Sequence, residues 1–155
     1  MGHLFDLDLG RTVKDYHFPT FLKHMGIEQV SVRPGHAILT WKFNSLLHAN
    51  GIGIAHGGAL STLLDVVMGY SAGYANEKIT PVVTTSMTAH YIAAAGNVLK
   101  VEANVIRQTK HLAFCSAEIT NTDGTIVTQA MATFKKLIST HQHNQPLSVP
   151  AETLP

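Results

Sequence analysis

The sequence predicts an α+β fold, one antiparallel sheet wrapped around one long central helix, on three observations. Residues 57–75 form a stretch that is apolar nearly all round, and a helix of that kind has to be covered on most sides. Four β-rich segments follow it almost to the end of the chain. The connections between those segments, "AAAG", "TK" and "TDG", are too short for the crossovers of a parallel sheet, so the strands are antiparallel.

The elements follow in order. Phe18, Phe21, Leu22 and Met25 recur at helical spacing, which predicts a short helix over residues 15–25, stopped by Gly26. "EQVSVRPGHAILTWKF" predicts two strands about the turn "RPG", the second alternating Ala37, Leu39, Trp41 and Phe43 with their neighbours. Residues 45–55, rich in Gly and His, form a loop, and the central helix follows over residues 57–75. After "NEKITP", the segments "VVTTSMTAHYI", "NVLKVEANVIRQ", "HLAFCSAEITN" and "TIVTQAMATFKKL" read as a strand meander, with Asp-Gly marking the last hairpin. Residues 1–140 make one domain. The polar tail 141–155, with three prolines, is expected to lack regular structure.

Composition narrows the function classes. The chain has 155 residues, a formal net charge of +1 and 14% charged residues, without a long Lys/Arg run, so nucleic acid is not an expected partner. A low charged fraction suits a domain with large buried surfaces, a subunit interface among them. Cys115 is the single cysteine, which rules out an intrachain disulfide and fits a reducing cytoplasm. The first residues contain Asp6 and Asp8 and no continuous apolar core, unlike a secretory signal. The apolar stretch 57–75 carries Asp65, Ser61, Thr62 and several glycines and reads as a buried helix, not a membrane span. Ten histidines show no spacing suited to a metal site, and no metal or cofactor is expected.

Asp65 is the residue that asks for chemistry. It is the only Asp, Glu, Lys or Arg between Lys42 and Glu77. A buried, isolated carboxylate is costly to ionise, and desolvation makes it a better base. A structural acid, hydrogen-bonded within the core, is the other reading. Eight residues earlier, "NGIGIAHGG" leads into the helix, and Gly57 and Gly58 allow close approach to free backbone N–H groups suited to an anion or oxyanion. The loop has neither the Gly-Lys-Ser/Thr of a phosphate loop nor the strand–GxGxxG–helix context of a dinucleotide site.

Asn50, His56-Gly57-Gly58 and Asp65, followed by "TTSMTAHYI" and a strand meander, resemble the hotdog-fold acyl-CoA thioesterases, in the branch of the phenylacetyl-CoA and hydroxybenzoyl-CoA enzymes. The resemblance covers residues 15–137. It implies a hotdog fold, a dimer or dimer of dimers, and hydrolysis of acyl-CoA without a metal. It also implies roles: Asp65 as the carboxylate that orients or deprotonates water, and the Gly57 N–H as the donor to the thioester carbonyl. Asn50 would hydrogen-bond near the reacting centre, His56 would shape the loop, and Thr84 would assist the water where some relatives carry Ser. Thr84 and Thr85 fall on opposite faces of a regular strand, and the choice of Thr84 rests on the motif alone. Arg107, Lys110 and His111, with Lys135 and Lys136, are candidates for the phosphates of coenzyme A.

Spacing adds a constraint on that carry-over. Gly57 and Asp65 lie about 12 Å apart along a helix rising roughly 1.5 Å per residue, too far for one thioester carbon. Two copies with antiparallel helices would bring each Asp65 to the other copy's Gly57. A non-catalytic acyl-CoA-binding module on the same scaffold is the alternative function. A hydratase, hinted at by "HFP" at residues 17–19, is weaker because that motif precedes the first strands.

Overall fold

The computed structural model describes residues 11–12, 19–75 and 79–138. Residues 15–18 of the expected first helix, residues 76–78 of "NEKITP" and the tail 141–155 lie outside the described residues. The expected helix over 15–25 is corrected to Thr20–His24, because Pro19 before it is in extended backbone.

The chain is α+β, and the expected long helix is present. In order come β1 (Arg11–Thr12), α1 (Thr20–His24), β2 (Ser31–Arg33), β3 (His36–Lys42), α2 (Ser45–His48), α3 (Gly57–Gly73), β4 (Val82–Tyr91), β5 (Val98–Gln108), β6 (Leu112–Asn121) and β7 (Ile126–Lys136). Gly26 follows α1 at φ +67°, the left-handed conformation that ends helices. Gly35, in the turn joining β2 to β3, has φ +72° and carries the expected Pro-Gly hairpin. Two elements were not anticipated. β1 pairs with β2, and α2 makes one helical turn inside the supposed loop, its first turn capped by Asn44, whose side chain accepts from the Leu46 amide.

All pairings are antiparallel, in the order β1-β2-β3-β5-β6-β7-β4. The expectation of a simple four-strand meander is corrected here. β5 pairs with β3, while β4 pairs with β7 and forms an edge of the sheet. The "AAAG" connection is therefore no hairpin turn. It runs across the ends of β7 and β6: the Ile92 amide donates to the Val127 carbonyl and Asn121 Nδ2 to the Ala94 carbonyl. The Gly96 amide then donates to Asn121 Oδ1, and the Asn97 carbonyl accepts from Phe43, beyond the end of β3.

α3 lies on the sheet and contacts β2 through β7. Its buried side holds Leu60, Leu63, Leu64, Val67 and Met68, which meet Trp41, Leu99, Val101, Ile119 and Phe134 from the strands. Burying a side chain of this size is worth about 1.5–3 kcal/mol, so this layer fixes the helix on the sheet. The opposite side follows the stripe Gly58, Thr62, Asp65, Gly69 and Gly73, all exposed or half-exposed in the chain. No helix among the described residues is long and apolar enough to cross a membrane.

Candidate active site

The loop before α3 is a closed hairpin. The His56 amide donates to the His48 carbonyl, Ala49 and Ala55 form a bridge, and the Asn50 amide donates to the Ile54 carbonyl. Asn50 stands at its tip and holds it together. Its Oδ1 accepts from the amides of Ile52 (3.0 Å) and Ile54 (3.2 Å), which leaves the Nδ2 protons as donors. The base of the hairpin is anchored by His48, which is buried, stacks on Trp41 at 4.7 Å and accepts the Asn44 amide at Nδ1.

The hairpin delivers His56 as the cap of α3. Its Nδ1 accepts from the Gly58 amide at 2.9 Å. A Cβ on Gly58 would come within 3.1 Å of that nitrogen, a tight contact that the His56 ring would have to relieve by shifting a few tenths of an ångström. With Gly58 engaged, the Gly57 amide is the open donor of the first turn, at the positive end of the helix dipole. Tyr91, at the end of β4, lies over this turn. Its hydroxyl donates to the Gly57 carbonyl at 3.1 Å and meets Ser61 Oγ. Sequence reasoning missed Tyr91 and Ser61. Ser61 stood on the open stripe of the helix, but nothing local announced its partner.

Two turns further along α3, Asp65 meets Thr84. Thr84 Oγ1 donates to Asp65 Oδ1 at 2.7 Å. Thr85 Oγ1 turns away and donates to the Thr133 carbonyl at 2.9 Å. A β-bulge separates them: Thr84 pairs with Phe134 and Ser86 with Thr133, leaving Thr85 as the extra residue. Within one chain Asp65 is half-buried, so the expectation of a carboxylate sealed in the core is corrected. The helix turns it away from the core and toward the edge strand β4, on the stripe of small and polar residues. No ion pair to Asp65 is formed among the described residues.

The basic candidates do not join this pair. Arg107, Lys110 and His111 are exposed around the β5–β6 turn. The register puts that turn at the end of the sheet where β4 begins, since Lys135 pairs with both Leu112 and Val83. Lys136 is excluded as a phosphate contact. It is buried, and its Nζ donates to Gln108 Oε1 (2.5 Å) and the Thr109 carbonyl (3.0 Å). Met68 is core, whereas Tyr70 and Tyr74 are half-buried, and burial pushes the Tyr70 phenol up. A cavity of about 500 Å³ opens on the other face of the sheet, lined by Thr88, His90, Glu102, Asn104, Glu118 and Gln129, none of them a candidate above. Among the described residues no three His, Cys, Asp or Glu side chains converge as metal ligands would.

The chain resembles known proteins in both sequence and fold. Residues 52–128 match the thioesterase superfamily model, a span that includes Gly57, Asp65 and Thr84 and begins just after Asn50. Human acyl-coenzyme A thioesterase 13 is 36% identical over 97 residues, 61% of this chain and 68% of that protein. A Pseudomonas aeruginosa protein named as an esterase is 38% identical, and the aligned part spans 55% of its length. Among solved structures, the conserved protein PA5202 of P. aeruginosa has a TM-score of 0.71 at 27% identity, covering 77% of this chain and 94% of that one. A Streptococcus pneumoniae thioesterase solved with coenzyme A has a TM-score of 0.64 at 27% identity, covering 69% and 83%. Variants of that streptococcal protein have been solved with an aspartate or a threonine replaced by alanine. The fold, the matched span and these identities together place the chain in the thioesterase superfamily, to which it belongs.

Proposed function

We propose that the chain hydrolyses an acyl-CoA thioester to the free acid and coenzyme A. The observation that carries this reading is the bond from Thr84 to Asp65. It fixes one carboxylate oxygen and leaves the other for a water, whose second proton the Thr84 oxygen can accept. A thioester is activated already, so a held water, a base and an oxyanion donor suffice. Asp65 is the base. The Gly57 amide, left open by the His56 cap, stabilises the carbonyl oxygen as it becomes an oxyanion, and Asn50 Nδ2 donates beside it. Coenzyme A as the leaving group is supported by the human relative's name and by the streptococcal relative that holds coenzyme A.

One chain does not complete the site, because Gly57 and Asp65 are separated by about 12 Å of helix. The reading therefore includes a second copy whose α3 runs antiparallel to the first, each Asp65 serving the other copy's Gly57. The open stripe of α3 and the edge position of β4 support it. Arg107, Lys110 and His111 would meet the nucleotide phosphates at the rim. The test is release of free coenzyme A from a panel of aryl, short and long acyl-CoAs with EDTA present. Turnover is expected for at least one of them. Tight binding without turnover across the panel would instead establish a non-catalytic acyl-CoA-binding module.

A further inference from the structure

One peptide unit at the start of α3 is held at both of its polar ends. The carbonyl of Gly57 accepts from the Tyr91 hydroxyl at 3.1 Å, and the N–H of Gly58, in the same peptide plane, donates to His56 Nδ1 at 2.9 Å. Tyr91 has one hydroxyl proton and gives it to Gly57, so Ser61 Oγ is the donor to the Tyr91 oxygen. The ordered chain runs Ser61 to Tyr91 to Gly57 carbonyl, then Gly58 amide to His56. The Tyr91 ring also covers Gly57, whose absent Cβ would lie 3.4 Å from Cε1 and Cζ. β4 reaches this turn because its bulge at Thr85 lets both Thr84 and Tyr91 face the helix.

We propose that Tyr91, supported by Ser61, is a positioning residue that fixes the Gly57–Gly58 peptide and so aims the open Gly57 amide at the thioester carbonyl. The inference rests on the thioesterase reading, although the clamp itself is a matter of geometry. Rotating this peptide about the Gly57 backbone moves the neighbouring N–H, and glycine has no side chain to resist that motion. An oxyanion donor works only when preorganised, and displacements near 1 Å can cost about 10²-fold in rate. Tyr91 supplies the stiffness that Gly57 lacks.

The test is Tyr91→Phe, which keeps the ring and removes the hydroxyl, in the full chain. Turnover should fall about tenfold or more with KM changed by less than about twofold, because the amide acts mainly in the transition state. Loss of two exposed hydrogen bonds, to the Gly57 carbonyl and from Ser61, should lower Tm by only roughly 2–4 °C. The amide resonances of Gly57 and Gly58 should shift and broaden, while those of β6 and β7 hold. Ser61→Ala should give the same pattern more weakly. A Tyr91→Phe variant with kcat within twofold of wild type overturns the proposal, as do unmoved Gly57 and Gly58 amides. If the wild-type chain turns over no acyl-CoA, the thioesterase reading fails, and the amide resonances alone then decide the clamp.

Discussion

Two carboxylates, on opposite faces of the molecule, are held in opposite ways. Glu102, on the outer face of the sheet, is held from both sides: His36 Nε2 lies 2.7 Å from one oxygen and Lys100 Nζ 2.6 Å from the other. Asp65, on the open side of α3, has a neutral hydroxyl on one oxygen and no cation within reach among the described residues. A carboxylate held by a lysine on one oxygen and an imidazole on the other is occupied, and its role ends with the structure around it. A carboxylate oriented by one hydroxyl keeps an oxygen free to act on something else. The proposed role of Asp65 rests on that difference more than on burial, since both carboxylates are half-buried.

The comparison breaks most readily at Asp65. Asp65→Asn keeps the size and still accepts from Thr84, but it cannot take a proton from water. Turnover should fall about 10²-fold or more, as for loss of a general base, with Tm nearly unchanged. Wild-type activity in this variant would return Asp65 to the structural class. The shared site is tested with Asn50→Ala and Asp65→Ala, each nearly inactive alone. Unfolded, mixed equally and refolded, about half of the dimers should be mixed, and each mixed dimer holds one intact site of two. Activity should recover to roughly a quarter of refolded wild type. No recovery, with chain exchange confirmed by mass spectrometry, would mean that each chain builds its own site.

A smaller effect sharpens the role of the hydroxyl. Thr84→Val preserves shape and frees Asp65 from its donor, so turnover should drop about tenfold. Thr85→Val removes a bond to the Thr133 carbonyl that faces away from Asp65, costing about 1 kcal/mol of stability and less than twofold in rate. Equal effects at the two positions would show that the bulge does not sort them by function.

That bulge also marks where the sequence stopped being readable. The helix, its apolar side, the Gly26 and Pro-Gly punctuation and the isolation of Asp65 were all local signals, and each survives in the structure. Strict alternation back from Tyr91 through Ala89 and Met87 would have turned Thr85 toward the helix. One extra residue reverses the parity, and nothing in "TTS" announces it. The position of β4 was hidden for a related reason. "AAAG" has the length of a hairpin turn, and only its bonds to Val127 and Asn121 show that it spans two strand ends. Asp65 was read as buried because its neighbours in sequence are apolar. Its neighbours in space are set by the helical stripe Gly58, Thr62, Asp65 and Gly69, which the same residues spell at helical spacing.

The smallest effect belongs to the other carboxylate. Burial pushes the Glu102 carboxyl up, but the hydrogen bonds from His36 and Lys100 and their charges outweigh it, leaving the group below its ordinary value of 4.5. A carboxyl lowered on folding adds stability that is complete above the unfolded value and is lost as pH falls through the folded one. Glu102→Gln removes the titration and both charge-assisted bonds. At neutral pH it should be less stable by about 1 kcal/mol or less, because Lys100 and Glu102 remain partly solvated. The gap between wild type and variant should close as pH falls below 4.5, in denaturant titrations run at several pH values. A gap that widened in acid would mean that Glu102 is held mainly as the neutral form. Turnover at neutral pH should stay within about twofold of wild type, since Glu102 lies across the sheet from Asp65. A large loss of turnover with an unchanged Tm would join the two faces into one site and end the contrast between their carboxylates.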